Sequence, residues 1–172
     1  MITISSYKQW YAIYVRHNTN FKVEAWLREQ EIEVYLPIQD NYRERNGKRV
    51  KITRPVINGI LFVHLLRKEF PLVEHAPNVY HFLCKRGTNA PLIIPDKQMD
   101  DFRLMVDWSD APILMVDKVI DSGTMVTVAK GSMQGVRGEM VKYENKYYIA
   151  VRLQELGCAL VSIPVSYVRR GR

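Results

Sequence analysis

Apolar positions in the first hundred residues alternate between strand-like and helical spacing. Residues 10–15 and 60–65 carry aromatic and branched side chains at both parities of a two-residue period, which predicts strands that bury both faces. Residues 18–20 offer helix caps before a helical spacing that runs to Gln30. The remaining pattern predicts a strand at 34–38, a short helix at 67–75, a strand at 79–84 and a helix at 95–106.

This order of elements predicts an α+β fold for residues 1–108. Its first domain is an α/β sandwich, in which a largely antiparallel sheet carries helices on one face. The other face, which includes Tyr14, Ile60 and Phe62, has no remaining element to cover it. An uncovered apolar face is typical of a binding surface. The alternative is that the hairpin described next, or the C-terminal domain, folds over it.

A basic segment interrupts this domain between residues 39 and 54. Its centre, Asn46-Gly47, is the strongest short signal for a β-hairpin turn. The segment has a net charge of +4, equal to that of all residues 1–108, so the rest of the domain is neutral. Localised positive charge suits a polyanion such as a nucleic acid, whereas the alternative is an ordinary solvated hairpin tip. The basic residues are Arg43, Arg45, Lys48, Arg49, Lys51 and Arg54, against Asp40 and Glu44.

The C-terminal part of the chain, residues 122–168, shows only short strand patterns. They fall at 125–129, 136–143, 147–153, 159–163 and 167–168, which predicts a small β-barrel. Between the first two strands lie Gly131, Gly135, Val136 and Gly138, where glycines permit positive φ angles or close backbone approach. A basic tail, 169–172, follows the barrel.

The intervening linker, residues 109–121, is unusual because it is apolar at 112–116 and 119–120. Disordered tethers favour polar residues. We therefore expect the linker to pack on one of the two domains.

Composition narrows the possible functions further. The full chain has a net charge of +7, no secretory leader and no apolar run long enough for a membrane span, so we expect a cytoplasmic protein without a membrane partner. Cys84 and Cys158 lie in apolar runs and are expected to be reduced core thiols. The four histidines and Cys84 lack a fourth ligand at a zinc spacing, and no catalytic or nucleotide motif is present. We therefore expect neither an enzyme nor a cofactor or metal.

Three segments together resemble the NusG family of transcription elongation factors. WYAIYVRHNTNFKVEAWLREQ and RPVINGILFVHL look like its NGN domain, and VTVAKGSMQGVRGEMV looks like the KOW motif of a barrel related to Src-homology-three domains. The basic hairpin and the extended linker are most similar to the specialised RfaH and UpxY paralogs, which act at surface polysaccharide operons. The resemblance implies a factor that suppresses pausing or termination. The alternative is a KOW-containing RNA-binding protein of the ribosome or of translation.

The resemblance also implies a role for each part of the chain. The NGN domain, 1–108, would bind the clamp helices of the RNA polymerase largest subunit. The KOW domain, 122–168, would use Gly131, Gly135, Val136 and Gly138 as its motif and would recruit Rho, NusE or RNA. The polymerase contacts would be Tyr14, Ile57, Ile60 and Phe62. Contacts to non-template DNA or nascent RNA would come from Arg16, His17 and Lys22 together with the six basic hairpin residues.

Overall fold

The structure is a computed structural model that describes residues 6–117 and 120–171. The chain divides into two compact units: one combines the residues up to Pro37 with Ile57–Asp96, and the other combines Ile38–Val56 with the residues from Lys97 onward. In chain order the elements are β1 (Gln9–Val15), α1 (Asn20–Glu29), β2 (Glu33–Tyr35), β3 (Ile38–Arg45), β4 (Lys48–Pro55), β5 (Ile60–Leu65), α2 (Phe70–Glu74), β6 (Val79–Phe82), α3 (Asp96–Trp108), β7 (Leu114–Val116), β8 (Thr124–Val128), β9 (Arg137–Tyr143), β10 (Lys146–Arg152), β11 (Cys158–Val161) and β12 (Val168–Arg170).

The first unit is built on a four-stranded antiparallel sheet in the order β2-β5-β1-β6. One face of this sheet packs against α1 and α2, as the apolar spacing predicts. The core between the sheet and these helices is centred on three aromatic rings. Tyr11 contacts Phe70 edge to face, with ring centroids 4.9 Å apart, and Phe70 stacks on Phe82 with centroids 4.5 Å apart. The rest of this core comes from Ile13, Val15, Val23, Leu27, Leu61, Val63, Leu65 and Val73. The predicted α+β sandwich, with helices on one face of an antiparallel sheet, is confirmed.

The N-cap of α1 is Thr19, which lies within the predicted range 18–20 but forms no side-chain capping bond. Asn20 is buried, and its amide spans to the turn before β5. A buried amide must be hydrogen-bonded, so its tertiary partners take precedence over local capping.

The second unit contains the predicted hairpin and a six-stranded sheet. β3 and β4 pair over their whole length, from Ile38 opposite Pro55 to Arg45 opposite Lys48, around a turn in which Asn46 and Gly47 both have positive φ. The larger sheet has the order β12-β8-β9-β10-β11-β7. The five predicted C-terminal strands are therefore present as β8 to β12.

The additional strand, β7, comes from the linker. It pairs antiparallel with β11, and Val116 joins Ile120 in an apolar cluster with Val141 and Leu160. Arg152 fixes the end of the segment by donating to the carbonyl oxygen of Ile120 at 2.9 Å. The expected packing of the linker is thus observed for its described part, while Val119 lies outside the described residues.

Close packing of the linker requires a residue without a side chain on the adjoining turn. A Cβ atom at Gly157, whose φ is +111°, would collide with the carbonyl group of Val116. Of the helices in the described ranges, none combines the length and apolar character needed to cross a membrane.

Candidate functional site

The face of the four-stranded sheet opposite the helices is not the open surface that the pattern predicts. Phe62 is 0% exposed and Ile60 is 7% exposed, so both are core residues. The bridge between Trp10 and Ile94 places the buried Ile94 on this same face, because paired residues point to one side of a sheet. Residues 85–94 were assigned to no element, yet they return to the sheet here. The expectation of an open face was therefore wrong, and Ile94, which the sequence pattern assigned to no element, extends this face.

Two of the four predicted polymerase contacts remain partly exposed at the margin of this face. Tyr14, near the end of β1, is half-buried, and its ring lies 4.8 Å from the ring of His81. Ile57, in the turn before β5, is also half-buried. This margin can contact a partner without unfolding, which Ile60 and Phe62 cannot do.

The turn that presents Ile57 is held firmly to the rest of the sheet. The Asn20 side chain donates to the carbonyl oxygen of Ile60 at 3.1 Å and accepts from the Gly59 N–H at 3.3 Å. The Val15 N–H donates to the Gly59 carbonyl oxygen at 2.9 Å. Asn58 contacts the Nδ1 atom of His17 at 3.0 Å. Asn20 is the positioning residue that the sequence pattern missed, since polar residues before a helix usually suggest caps.

The polar residues predicted beside this margin are at the surface. Arg16, His17 and Lys22 are all exposed, on the connection from β1 to α1 and on the first turn of α1. The structure therefore brings a small apolar margin and three basic or titratable side chains onto neighbouring segments. Nucleic-acid binding by Arg16, His17 and Lys22 remains a prediction.

The hairpin is exposed, and its strand register separates its charges into two unlike faces. On the first, which we call the balanced face, each basic residue of β4 has a partner. Lys51 pairs with Asp40 at 2.8 Å, and Arg49 lies over the Tyr42 ring at 4.2 Å. Hydrogen bonds from Lys51 and then Thr53 lower the pKa of Asp40, and the bond with Asp40 raises the pKa of Lys51. Glu44, opposite Arg49, completes this neutral face.

The opposite side, which we call the basic face, carries the whole net charge of the hairpin. Alternation along β3 and β4 places Arg43, Arg45, Lys48 and Arg54 together there, with no carboxylate among the side chains of this face. All four are exposed. The six predicted nucleic-acid residues of the hairpin thus fall into four on the basic face and two, Arg49 and Lys51, on the balanced face.

The glycine motif of the second unit behaves as its spacing suggests. Gly131 and Gly135 have φ angles of +85° and +95° in the turn between β8 and β9. Gly138 is different: a Cβ atom there would lie 2.6 Å from the carbonyl oxygen of Ala150 on β10. Val136 is buried. That this glycine motif recruits a partner protein remains a prediction.

The histidines and cysteines are dispersed among separate partners. His64 pairs with Glu33 at 2.7 Å and stacks on Trp10 at 4.7 Å, whereas His75 contacts the carbonyl oxygen of Pro71. Cys158 is buried and Cys84 is only half-buried, and neither forms a disulfide. Within residues 6–117 and 120–171, no group of three potential ligands could hold a metal ion.

Comparison with known proteins agrees with this architecture. A family model described as transcription termination factor nusG matches residues 8–103. The transcription termination/antitermination protein NusG of Staphylococcus carnosus (strain TM300) is 23% identical over 165 residues, covering 87% of this chain and 88% of that protein. A protein of the same name from Staphylococcus epidermidis is 22% identical with the same coverage.

A solved structure, described as domain interaction in Thermotoga maritima NusG, is similar in fold. Its TM-score is 0.52 at 18% identity, over 95% of this chain and 97% of that one. The family match spans more than half of the chain and includes β1, β5 and the hairpin. The chain therefore belongs to the NusG family of transcription termination and antitermination factors, which are not enzymes.

Proposed function

We propose that this chain is a transcription elongation and antitermination factor that binds RNA polymerase through residues 1–108 and acts in the cytoplasm. The partner surface is the clamp-helix region of the largest subunit, and the neighbouring ligand is non-template DNA or nascent RNA. Residues 122–168 would carry the second recruiting function, for Rho or NusE. Surface polysaccharide operons are the proposed targets.

The observation that carries this proposal is the hydrogen-bonded turn before β5, in which Ile57 is partly exposed. Hydrogen bonds from Asn20 and Val15 hold this turn, so Ile57 is presented in a fixed position at little entropic cost on binding. Tyr14 lies at the same margin of the sheet, and Arg16 and His17 follow it directly. An apolar margin next to basic side chains suits an elongation complex, which presents protein and nucleic acid side by side.

The proposed mechanism needs no covalent chemistry. Pausing and termination involve an open clamp, so a factor that binds the closed clamp more tightly shifts the population toward it. The free energy available for this shift equals the difference between the two affinities. Ile60 and Phe62 support the docking margin from below and make no direct contact in this proposal.

The test compares two substitutions of isoleucine by lysine in tagged full-length protein. Ile57→Lys should reduce recovery of RNA polymerase in a pull-down at least about tenfold, because it places a charge in an apolar contact worth more than about 1.4 kcal/mol. Ile93→Lys is the matched control, since Ile93 is 44% exposed and precedes Ile94, which pairs at the opposite end of β1 from Tyr14.

Circular dichroism should be unchanged for both variants because neither side chain is in the core. Recovery of polymerase by Ile57→Lys equal to that of the control would contradict this docking margin. Recovery of ribosomal subunits in place of polymerase would instead favour an RNA-binding protein of translation.

A further inference from the structure

The basic face of the hairpin is an extended track of positive charge. Arg43 and Arg45 are two residues apart on β3, which separates their Cα atoms by about 6.7 Å, and Lys48 lies directly opposite Arg45. Arg54 pairs with Gln39 near the base of the hairpin. Gln39 is six residues from Arg45, so the track is about 20 Å long.

Among residues 6–117 and 120–171, the charges on this track have no ion-pair partner. Like charges directly opposite each other across two strands are destabilising, as at Arg45 and Lys48. In the described part of the chain, the ion pair and the ring contact of the hairpin both lie on the balanced face, at Lys51 and Arg49. A bound polyanion would relieve this repulsion on the basic face alone.

A groove borders the base of the hairpin, and residues of both faces line it. The groove has a volume of about 890 Å³, and its hairpin side includes Asp40, Tyr42 and Arg49 of the balanced face together with Gln39 and Asn41 of the basic face. Its other side consists of residues 106–107 and 109–113, which contribute the carboxylates of Asp107 and Asp110. The groove therefore does not distinguish the two faces, and their difference comes from the hairpin's own side chains: Asp40 and Glu44 lie on the balanced face, and the basic face has no carboxylate.

We propose that the basic face, through Arg43, Arg45, Lys48 and Arg54, binds the phosphodiester backbone of a nucleic acid, and that the balanced face does not. This inference deepens the nucleic-acid contact proposed above by assigning it to one face. Single-stranded and duplex nucleic acids share the phosphodiester chemistry, so binding of each kind is compared directly. Each phosphate contact contributes about 0.7 to the size of the slope of log K against log salt for single strands and about 0.9 for B-DNA.

The experiment measures binding of full-length protein to labelled single-stranded DNA, single-stranded RNA and duplex DNA by fluorescence anisotropy over a series of salt concentrations. One double variant, Arg43→Gln with Lys48→Gln, removes two charges from the basic face. Its control, Arg49→Gln with Lys51→Gln, removes two charges from the balanced face. The two variants have the same net charge, so net charge cannot cause a difference between them.

For a single strand, the basic-face variant should lower the slope by about 1.4 and weaken binding roughly 25-fold at 0.1 M salt, the change expected for two lost contacts. The control should retain most of the wild-type slope. Equal losses in both variants, or no loss in either, would overturn the assignment to one face. Tighter binding of labelled polyglutamate than of any oligonucleotide would overturn it too, in favour of an acidic polypeptide.

This measurement contains no polymerase, so its failure is distinguishable from failure of the docking margin. A protein that loses polymerase on Ile57→Lys but shows no difference between the hairpin variants would retain the proposed function without this binding face.

Discussion

The four-stranded sheet and the hairpin are both antiparallel, but they differ in whether their side chains are buried or exposed. Both faces of β1 and β5 are buried, and Ile13, Leu61 and Phe62 are 0% exposed. The hairpin strands are exposed along most of their length, and their two faces differ in charge. The sheet therefore supplies rigidity, while the hairpin and the sheet margin supply the surface that a partner can reach.

This difference follows from hydrophobic content. Burying an aromatic or branched side chain contributes roughly 1.5–3 kcal/mol, so a face that is apolar at every position becomes covered if the chain has any means of covering it. The hairpin offers no such gain, and its register is set by the Asn46-Gly47 turn. The linker fits the same rule, since its apolar residues pack as β7 beside β11.

The largest effect that tests this difference is the loss of a core ring. Phe62→Ala should lower the free energy of unfolding by about 3–5 kcal/mol, because Phe62 is fully buried and its removal leaves a cavity. Tyr42→Ala, which removes a ring that is 56% exposed on the hairpin, should cost less than about 1 kcal/mol. Urea denaturation monitored by circular dichroism measures both. Similar costs for the two variants would mean that the sheet face is open after all.

A smaller difference in unfolding free energy is expected between the loss of an ion pair in the six-stranded sheet and the loss of one on the hairpin. Arg152 pairs with Glu139 at 2.7 Å, and this hydrogen bond is the main cause of the lowered pKa of Glu139. A lowered carboxyl pKa contributes stability that is present above the unfolded value near 4.5 and is lost as the pH falls through the lower folded value. At pH 7, Glu139→Gln should therefore cost about 1 kcal/mol.

The matched control for this ion pair is Asp40→Asn on the hairpin. Asp40 also has a lowered pKa through its hydrogen bond with Lys51, but it is exposed to solvent, and its substitution should leave stability unchanged within error. Unfolding curves recorded from pH 7 to pH 3 would separate the two: the gap between wild type and Glu139→Gln should close toward acid. A gap that persists at pH 3 would show that charge is not its cause.

Most of the fold could be predicted because local patterns determine it. The strand at 60–65 coincides with β5, and the Asn46-Gly47 turn correctly predicts the hairpin. The register of the hairpin, read with the alternation of side chains, also yields the charge asymmetry. None of this depends on contacts between distant segments.

The burial of Ile60 and Phe62 could not be predicted for the opposite reason. Periodicity shows that a sheet face is apolar, but it does not show which distant segment covers it. Ile94, which extends that face, lies in a stretch without periodic pattern. Asn20 was similarly misread, because its partners at Gly59 and Ile60 are forty residues away in the sequence.

The most direct test of the account places a photo-crosslinking amino acid at two positions on opposite faces of the hairpin. Val50 lies on the basic face opposite Arg43, and Thr53 lies on the balanced face opposite Asp40. In elongation complexes assembled with full-length protein, the probe at position 50 should crosslink to nucleic acid and the probe at position 53 should not. Crosslinks from position 53 alone, or equally from both, would contradict the claim that one face of this hairpin holds the nucleic acid.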